Sequence, residues 1–482
     1  MDNFLSGLIL WPLLTVILAP IVLPLAIIRL IVDVLAKSHG LSPITHGEQL
    51  YTCPEGKIWA LLTGGFRLDS KINLIKFREL FKEKFLTNQR DSIFYKTVLQ
   101  FWGYGYTRPV SKIDLNLHIR EVRSVQGEGF NATLNRLWND MTSMQENWAT
   151  SPPWEILVCN DIQGVPGSMI VIKIHHALAD GYSMVSIIDQ LTGNRSPYIV
   201  KPWVLSPWRK IKIFLKLPLG FLKNIYNLDV CLVHHPFSLK KNTSTDIPLT
   251  TSTATLDFKK IYDIRKAEGC RVLPIFMCLQ VEAVKRFLTA HKRIDDGTQM
   301  QEYFRHIINL PIPEHPAARE NRLCVYSIMG DGRVPLQETN LRTRLHITNT
   351  LLEEYEGSDG EKVAALLRNI PYILPNPILS HFQNMSKYPL FSTISTLLLS
   401  PEPYVLQGTT ISNFYFGTTF DTKNCGLRGV TLFTFTRGNE VDASIVGSTD
   451  LFKTQAETDE YADKFLVDVL DDYWKLCCKN KS

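Results

Sequence analysis

The stretch Met169-Ile170-Val171-Ile172-Lys173-Ile174-His175-His176-Ala177-Leu178-Ala179-Asp180-Gly181 limits what this chain can fold into more than any other. Met169 to Ile174 is apolar but for Lys173, which predicts a strand covered on both faces rather than an alternating, half-exposed one. Tyr182 to Leu191 then reads as a helix, and a buried strand feeding a turn and a helix belongs to a layered α/β protein. A strand end is a rigid mount, so a histidine there is held in one orientation at the edge of a cleft. Neutral imidazole takes a proton near pH 7, which suits a general base acting on a hydroxyl. Strand alternation sends His175 and His176 to opposite faces, so only one of them faces a substrate. Asp180-Gly181 permits a tight turn that the carboxylate can pin through backbone or cation contacts.

A lone histidine is more often a satisfied core residue. The pattern His-His-x-x-x-Asp-Gly, however, arises by chance in only about one chain of this composition in a thousand, which favours chemistry. No metal is expected, because Cys159, Asp161 and His118 show no ligand spacing and adjacent histidines cannot both chelate from one strand face.

The second constraint lies at the N-terminus. Phe4 to Ile28 carries no charge and makes roughly 37 Å of helix against a hydrocarbon core of about 30 Å. A cleaved signal has a basic start and a shorter apolar run, whereas this segment opens Met1-Asp2 and stays apolar to Ala36 apart from Arg29 and Asp33. Residues 1–36 are therefore read as a retained transmembrane or re-entrant anchor, with Pro12, Pro20 and Pro24 leaving a kinked span and a hairpin both open. Arg29 and Lys37 on the C-terminal flank, against Asp2 on the other, place the body on the cytosolic side of the endoplasmic reticulum or plasma membrane.

The mean hydropathy of −0.03 over 482 residues leaves no room for a polytopic protein, so a soluble body follows the anchor. A formal charge of +5 is too small and dispersed for a nucleic-acid partner, and an anionic membrane surface stays compatible. Nine cysteines without short zinc or redox spacing indicate a reducing compartment, and the sequons at Asn131, Asn194, Asn242 and Asn384 carry little weight against that. Cys477 and Cys478, flanked by Lys475 and Lys479, read as free thiols on a frayed tail, with S-acylation as the second reading.

In the body, Lys57 to Leu62 reads as a strand, Asn73 to Phe85 as an amphipathic helix, and Trp154–Cys159 with Met169–Ile174 as a hairpin. These define a first lobe over residues 45–202. Residues 203–252 form a basic crossover and linker, in which Trp203 to Lys223 suits either an interfacial helix or a packed crossover, and Lys240 to Ser252 an exposed linker. The second lobe, residues 253–482, offers strands at Thr253 to Asp257, His306 to Leu310, Cys324 to Met329, Gly429 to Phe435 and Val441 to Val446. Its expected helices are Phe258–Glu268, Pro274 to Ala290 and Glu457 to Leu476.

The segment His175-His176-Ala177-Leu178-Ala179-Asp180-Gly181 resembles the active-site signature of the CoA-dependent acyltransferases, and its context narrows this to the wax ester synthase/diacylglycerol acyltransferase family. Pro153-Trp154-Glu155 is similar to that family's Pro-Leu-Trp-Glu element. Leu256-Asp257-Phe258 through Gly269 resembles its second-lobe entry, and Asn321 with Val334-Pro335-Leu336 its later Gly-Asn and Leu-Pro elements. Leu273-Pro274 stands where the family usually has Asn-Asp, and Ser395 to Pro401 is the nearest counterpart of its Asn-Val-Pro-Gly-Pro segment.

The resemblance implies an α/β fold of two chloramphenicol-acetyltransferase-like lobes with a tunnel between them, preceded by the membrane helix. It implies an O-acyltransferase that moves a fatty acyl group from acyl-CoA, a co-substrate rather than a bound cofactor, to a long-chain alcohol or diacylglycerol. His176 would be the catalytic base, with His175, Asp180 and Gly181 as motif support and Asp180 structural. The alternatives are a membrane-tethered lipid-binding protein of this fold that has lost turnover, motivated by the two departures, or transfer to another acceptor.

Overall fold

The computed structural model describes residues 2–44, 49, 51–52, 60–87, 92–140, 144, 150–198, 200, 202–217, 249–294, 301–317, 322–379, 390–420, 428–449 and 451–479. The chain begins with α1 (Asp2–Ser38), β1 (Ser42–Pro43), β2 (Ala60–Leu68) and α2 (Leu74–Phe81). The hairpin β3 (Lys96–Phe101) and β4 (Tyr104–Pro109) leads to β5 (Ile119–Glu121), α3 (Phe130–Asn139), β6 (Trp154–Cys159), β7 (Ser168–His175) and α4 (Gly181–Thr192). Residues 207–217 form a short helix, α5. The second half runs β8 (Leu249–Asp257), α6 (Phe258–Glu268), α7 (Val272–Ala290), β9 (Tyr303–Pro311), β10 (Ser327–Pro335), α8 (Leu341–Gly357), α9 (Gly360–Leu367) and α10 (Ile370–Ile373). It closes with β11 (Leu390–Leu398), β12 (Val405–Leu406), β13 (Thr409–Phe420), β14 (Arg428–Arg437), β15 (Glu440–Ser448) and a helical run from Gln455 to Lys479.

Two six-stranded sheets carry the architecture, ordered β12-β13-β2-β7-β6-β5 and β10-β9-β11-β14-β15-β8. The motif strand β7 is buried along its whole length, as its apolar run predicts, and pairs antiparallel with β6 on one side and β2 on the other. Lys173, buried in the middle of it, is matched by Glu155 at 3.2 Å, which also receives Arg120. On β2, a Cβ at Gly65 would lie 1.8 Å from the Ile170 carbonyl, so only glycine lets these neighbours approach.

Residues 405–420 sit in the first sheet, although they fall in the sequence range 253–482 read as the second lobe. β13 pairs with β2 from Ala60 to Leu68, covering what would otherwise be an open sheet edge. It stays tied to the second sheet as well. Asp442 accepts the Phe414 N–H at 3.1 Å, Ser444 Oγ accepts the Phe416 N–H at 3.0 Å, and Arg437 clamps Asp442 at 2.9 Å. The lobes are therefore interlocked rather than consecutive.

Three further expectations are adjusted. The linker read at Lys240 to Ser252 ends as strand: Thr251 and Ser252 are buried in β8, where β-branched threonines fit a pleated sheet, while residues 240–248 lie outside the described residues. β10 starts at Ser327 rather than Cys324, because residues 324–326 turn to bond with α4. Cys477 is not on a frayed tail but buried in the second-lobe core with Tyr473 and Leu470. Cys53, Cys231, Cys425, Asn242, Asn321, Asn384, residues 57–59 and residues 218–223 lie outside the described residues.

α1 is one continuous helix through all three prolines, not a hairpin, and its stretch Ala19–Ser38 is long and apolar enough to cross a membrane. Its end belongs to the body. Val32 and Ala36 are buried with Tyr104 and Tyr106, and Arg29, only 2% exposed, stacks over Tyr104, Tyr106 and Tyr372 at 4.1–5.1 Å while pairing with Asp33 at 3.0 Å. Tyr106 and Tyr372 each donate to Asp33 at 2.6 Å. The two charges that interrupt the apolar run are thus the docking pair of the helix.

Candidate functional site

β7 delivers the paired histidines to the seam between the sheets. The His175 N–H bonds to Pro153 O and the His176 N–H to Ala60 O, so the backbone is fixed up to the second histidine. The side chains part as alternation requires. His175 is buried, its Nδ1 accepts the Ala177 N–H at 3.1 Å, and burial, with the neighbouring His176, lowers its pKa to about 3. That ring is a neutral structural acceptor.

His176 is half-buried, and its Nδ1 lies 3.1 Å from the Ala179 carbonyl. A carbonyl oxygen only accepts, so Nδ1 carries the proton and Nε2 is left with its lone pair. Burial pushes the His176 pKa below the ordinary histidine value and keeps this tautomer neutral at pH 7. Tyr51 stacks on the imidazole face with ring centroids 4.0 Å apart and planes 4° apart.

Tyr51 rests on a network that local sequence does not reveal. Beside it, Gln49 Nε2 donates to Asn376 Oδ1 at 2.9 Å, Asn376 Nδ2 donates to the Thr52 carbonyl, and the Gly105 N–H of β4 donates to Gln49 Oε1. The same hairpin supplies the Tyr104 and Tyr106 rings that hold Arg29.

Asp180 does not touch His176. It is the N-cap of α4, accepting the Ser183 N–H at 3.1 Å, and it also accepts the Tyr326 N–H at 2.7 Å. His315 Nε2 donates to both carboxylate oxygens at 2.9 and 3.1 Å, its tautomer set by Nδ1 accepting the Ala317 N–H. Burial works to raise the Asp180 pKa, but the His315 contact and the two backbone N–H groups outweigh it and hold the carboxyl below the ordinary range. A Cβ at Gly181 would meet Leu397 at 3.1 Å and Phe416 at 3.3 Å, so the turn is pressed against β11 and β13.

Along α4 runs a cavity of about 600 Å³ lined by Tyr182, Ser186, Asp189, Tyr198, Lys84 and Arg195 among others, with His176 not among its lining residues. Among the described residues, no three His, Cys, Asp or Glu side chains converge as a metal site would require. His176, His175, Asp180 and Gly181 are brought together as their spacing implies. Tyr51, His315 and Tyr326 join them from distant parts of the chain, with no motif of their own to announce it.

No family model matches the chain, and no curated protein matches it by sequence. Solved structures do. The wax ester synthase/diacylglycerol acyltransferase from Marinobacter aquaeolei VT8 superposes with a TM-score of 0.56 at 13% identity, over 90% of this chain and 99% of that one. The trichothecene 15-O-acetyltransferase from Fusarium sporotrichioides gives 0.61 at 11% identity, over 90% and 95%. A starter condensation domain of rhizomide synthetase, solved with C8-CoA, gives 0.52 at 12% identity, over 89% and 92%. The fold is thus the two-lobed α/β fold shared by CoA-dependent acyltransferases and condensation domains, the one to which the histidine motif pointed.

Proposed function

We propose that this chain is a membrane-associated O-acyltransferase that moves a fatty acyl group from acyl-CoA to the hydroxyl of a long-chain alcohol or diacylglycerol. The observation that carries the chemistry is His176, a neutral imidazole whose Nδ1–H is committed to the Ala179 carbonyl, which leaves the lone pair on Nε2. Nε2 takes the acceptor's hydroxyl proton as its oxygen bonds to the thioester carbonyl carbon. The resulting intermediate collapses with cleavage of the C–S bond, and the imidazolium returns the proton to the departing CoA thiolate. No acyl-enzyme forms. Asp180 positions the turn that carries His176 rather than polarising the ring.

The fold is shared with acetyl-transferring and condensing proteins, so the acceptor class rests on α1, whose exposed apolar surface suits substrates dissolved in a bilayer. The test is to incubate membranes containing the protein with labelled long-chain acyl-CoA and a panel of fatty alcohols, diacylglycerol and small soluble alcohols. Labelled wax ester or triacylglycerol, lost in His176→Ala, is the expected result. Turnover of the soluble alcohols alone would overturn the lipid acceptor.

A further inference from the structure

Among the described residues, two contacts tie α1 to the body. At its C-terminal end Arg29 and Asp33 enter the Tyr104, Tyr106 and Tyr372 cage. At its other end Trp11 stacks on Phe214 of α5, centroids 4.6 Å apart and planes 16° apart, and its indole N–H donates to the Phe214 carbonyl at 3.0 Å. Trp11 and Arg29 are about five helical turns, or ~27 Å, apart on the same face. At about 100° per residue, Trp11, Val22, Arg29, Val32, Asp33 and Ala36 form one side, each half-buried or buried. The exposed Leu13, Ile17, Leu23, Ile27 and Ile31 all fall on the other.

α5 is itself bound to the body. Ile213 is buried, and Arg209 pairs with Asp359 at 2.8 Å and Lys216 with the same carboxylate at 3.6 Å. Its outer face is apolar: Trp208, Ile211 and Phe214 are 56%, 49% and 53% exposed and, with Leu215, span an arc of about 120°. Lys210 and Lys212 flank that arc, and residues 203–217 contain no acid. This is the layout of a helix lying at a membrane surface, with apolar groups inward and lysines at the headgroups. Near the opposite end of α1, beside His39, the tip of the β3–β4 hairpin presents Trp102, 72% exposed.

We infer that α1 does not cross the bilayer but lies in the plane of one leaflet alongside α5, so that the protein is monotopic. Were α1 upright, the Trp11 contact would carry α5, with Arg209, Lys216 and Asp359, about 27 Å from the Arg29 cage, to the depth of the far leaflet, where charged groups on the body surface are excluded. Laid flat, the same two contacts keep every charge at the surface and turn the whole exposed apolar side of α1 and α5 toward acyl chains. The lysines favour an anionic leaflet. This deepens the membrane part of the proposed function without depending on its chemistry.

The test uses full-length protein with an N-terminal epitope tag in sealed microsomes. Protease added without detergent digests both tag and body if α1 lies flat. A protected tag with a digested body means a span and overturns the inference, while esterification would stand untouched. A second readout places an environment-sensitive fluorophore by bioorthogonal chemistry at position 16 of α1 or position 211 of α5. In vesicles of phosphatidylcholine and phosphatidylserine, shallow spin-labelled lipids quench both, and deep ones quench neither as strongly. Failure of position 211 to be quenched, or preferential deep quenching at position 16, overturns it.

Discussion

His315 Nε2 reaches both oxygens of Asp180, at 2.9 and 3.1 Å, across 135 positions of sequence, and thereby fastens the N-cap of α4 to the segment joining β9 and β10. The motif aspartate is a bolt between the two halves of the molecule. It sets where the His176 turn sits relative to the second sheet.

Replacing Asp180 by Ala strips partners from a fully buried imidazole and from the Ser183 and Tyr326 N–H groups, and is expected to cost about 3–5 kcal/mol. His176→Ala removes a half-buried ring whose one hydrogen bond is to a backbone carbonyl, and should leave the denaturation midpoint nearly unchanged while ester formation falls by about 10²–10⁴. Chemical denaturation paired with activity separates the two, and equal destabilisation by both changes would refute the division of roles.

His175→Ala should act on folding first, since His175 is buried and bonded within its own turn. Activity per folded molecule, with the folded fraction read from circular dichroism, is expected to survive better than in His176→Ala. If the order of the two were reversed, Nε2 of the wrong histidine has been assigned.

Stability should fall as pH drops below about 6.5. His175 and His306 are neutral in the folded state, with pKa values lowered to about 3 chiefly by burial. The unfolded chain binds protons at both below pH 6.5, so the stabilisation is complete above that value and is lost on the way down toward 3, at about 1.4 kcal/mol per pH unit for each. The depressed Asp180 adds a further loss only below about pH 4. Urea midpoints flat from pH 8 to pH 5 would contradict this.

Removing Tyr51 uncovers the His176 face to water. Since burial is the main cause of the lowered pKa of His176, Tyr51→Ala should raise it and shift the acidic limb of the pH–rate profile upward, whereas Tyr51→Phe keeps the stack and the profile. Asn376→Ala, which withdraws the support of Gln49 and Thr52, should move the limb the same way by less. An unmoved limb in Tyr51→Ala would mean that the stack does not govern the base.

Truncation distinguishes the two parts of α1. Loss of residues 1–25 leaves the Arg29 cage whole and should preserve the thermal midpoint. Loss of residues 1–36 empties the space filled by Arg29, Val32 and Ala36 between Tyr104 and Tyr106, and should cost roughly 2–4 kcal/mol. Identical midpoints would show that the cage contributes nothing.

What the sequence made legible was local. The β6–β7 hairpin, α4 and the histidine turn all follow from contiguous apolar runs and from turn residues between them. α6 likewise announces itself through Asp257 at its N-cap and Gly269 at φ 62° at its end. The bolt from His315, the stack from Tyr51 and the crossing of β13 depend on pairings more than 100 residues apart, for which no periodicity exists to be read. Arg29 and Asp33 misled in a specific way. Beside an apolar run they suggest the polar rim of a bilayer, and only three distant tyrosines show that they dock to protein.

The crossing of β13 also orders events during synthesis. β2 and β7 can pair once about residue 175 has emerged, but the other edge of β2 waits for Phe420. At about 5–20 residues per second, translating residues 176–420 takes on the order of 12–50 s. Through that interval an apolar strand edge that ends beside the future histidine turn stands open on the ribosome, available to any other unpaired strand. Early handling of this nascent chain, more than the stability of the finished fold, is where its yield will be decided.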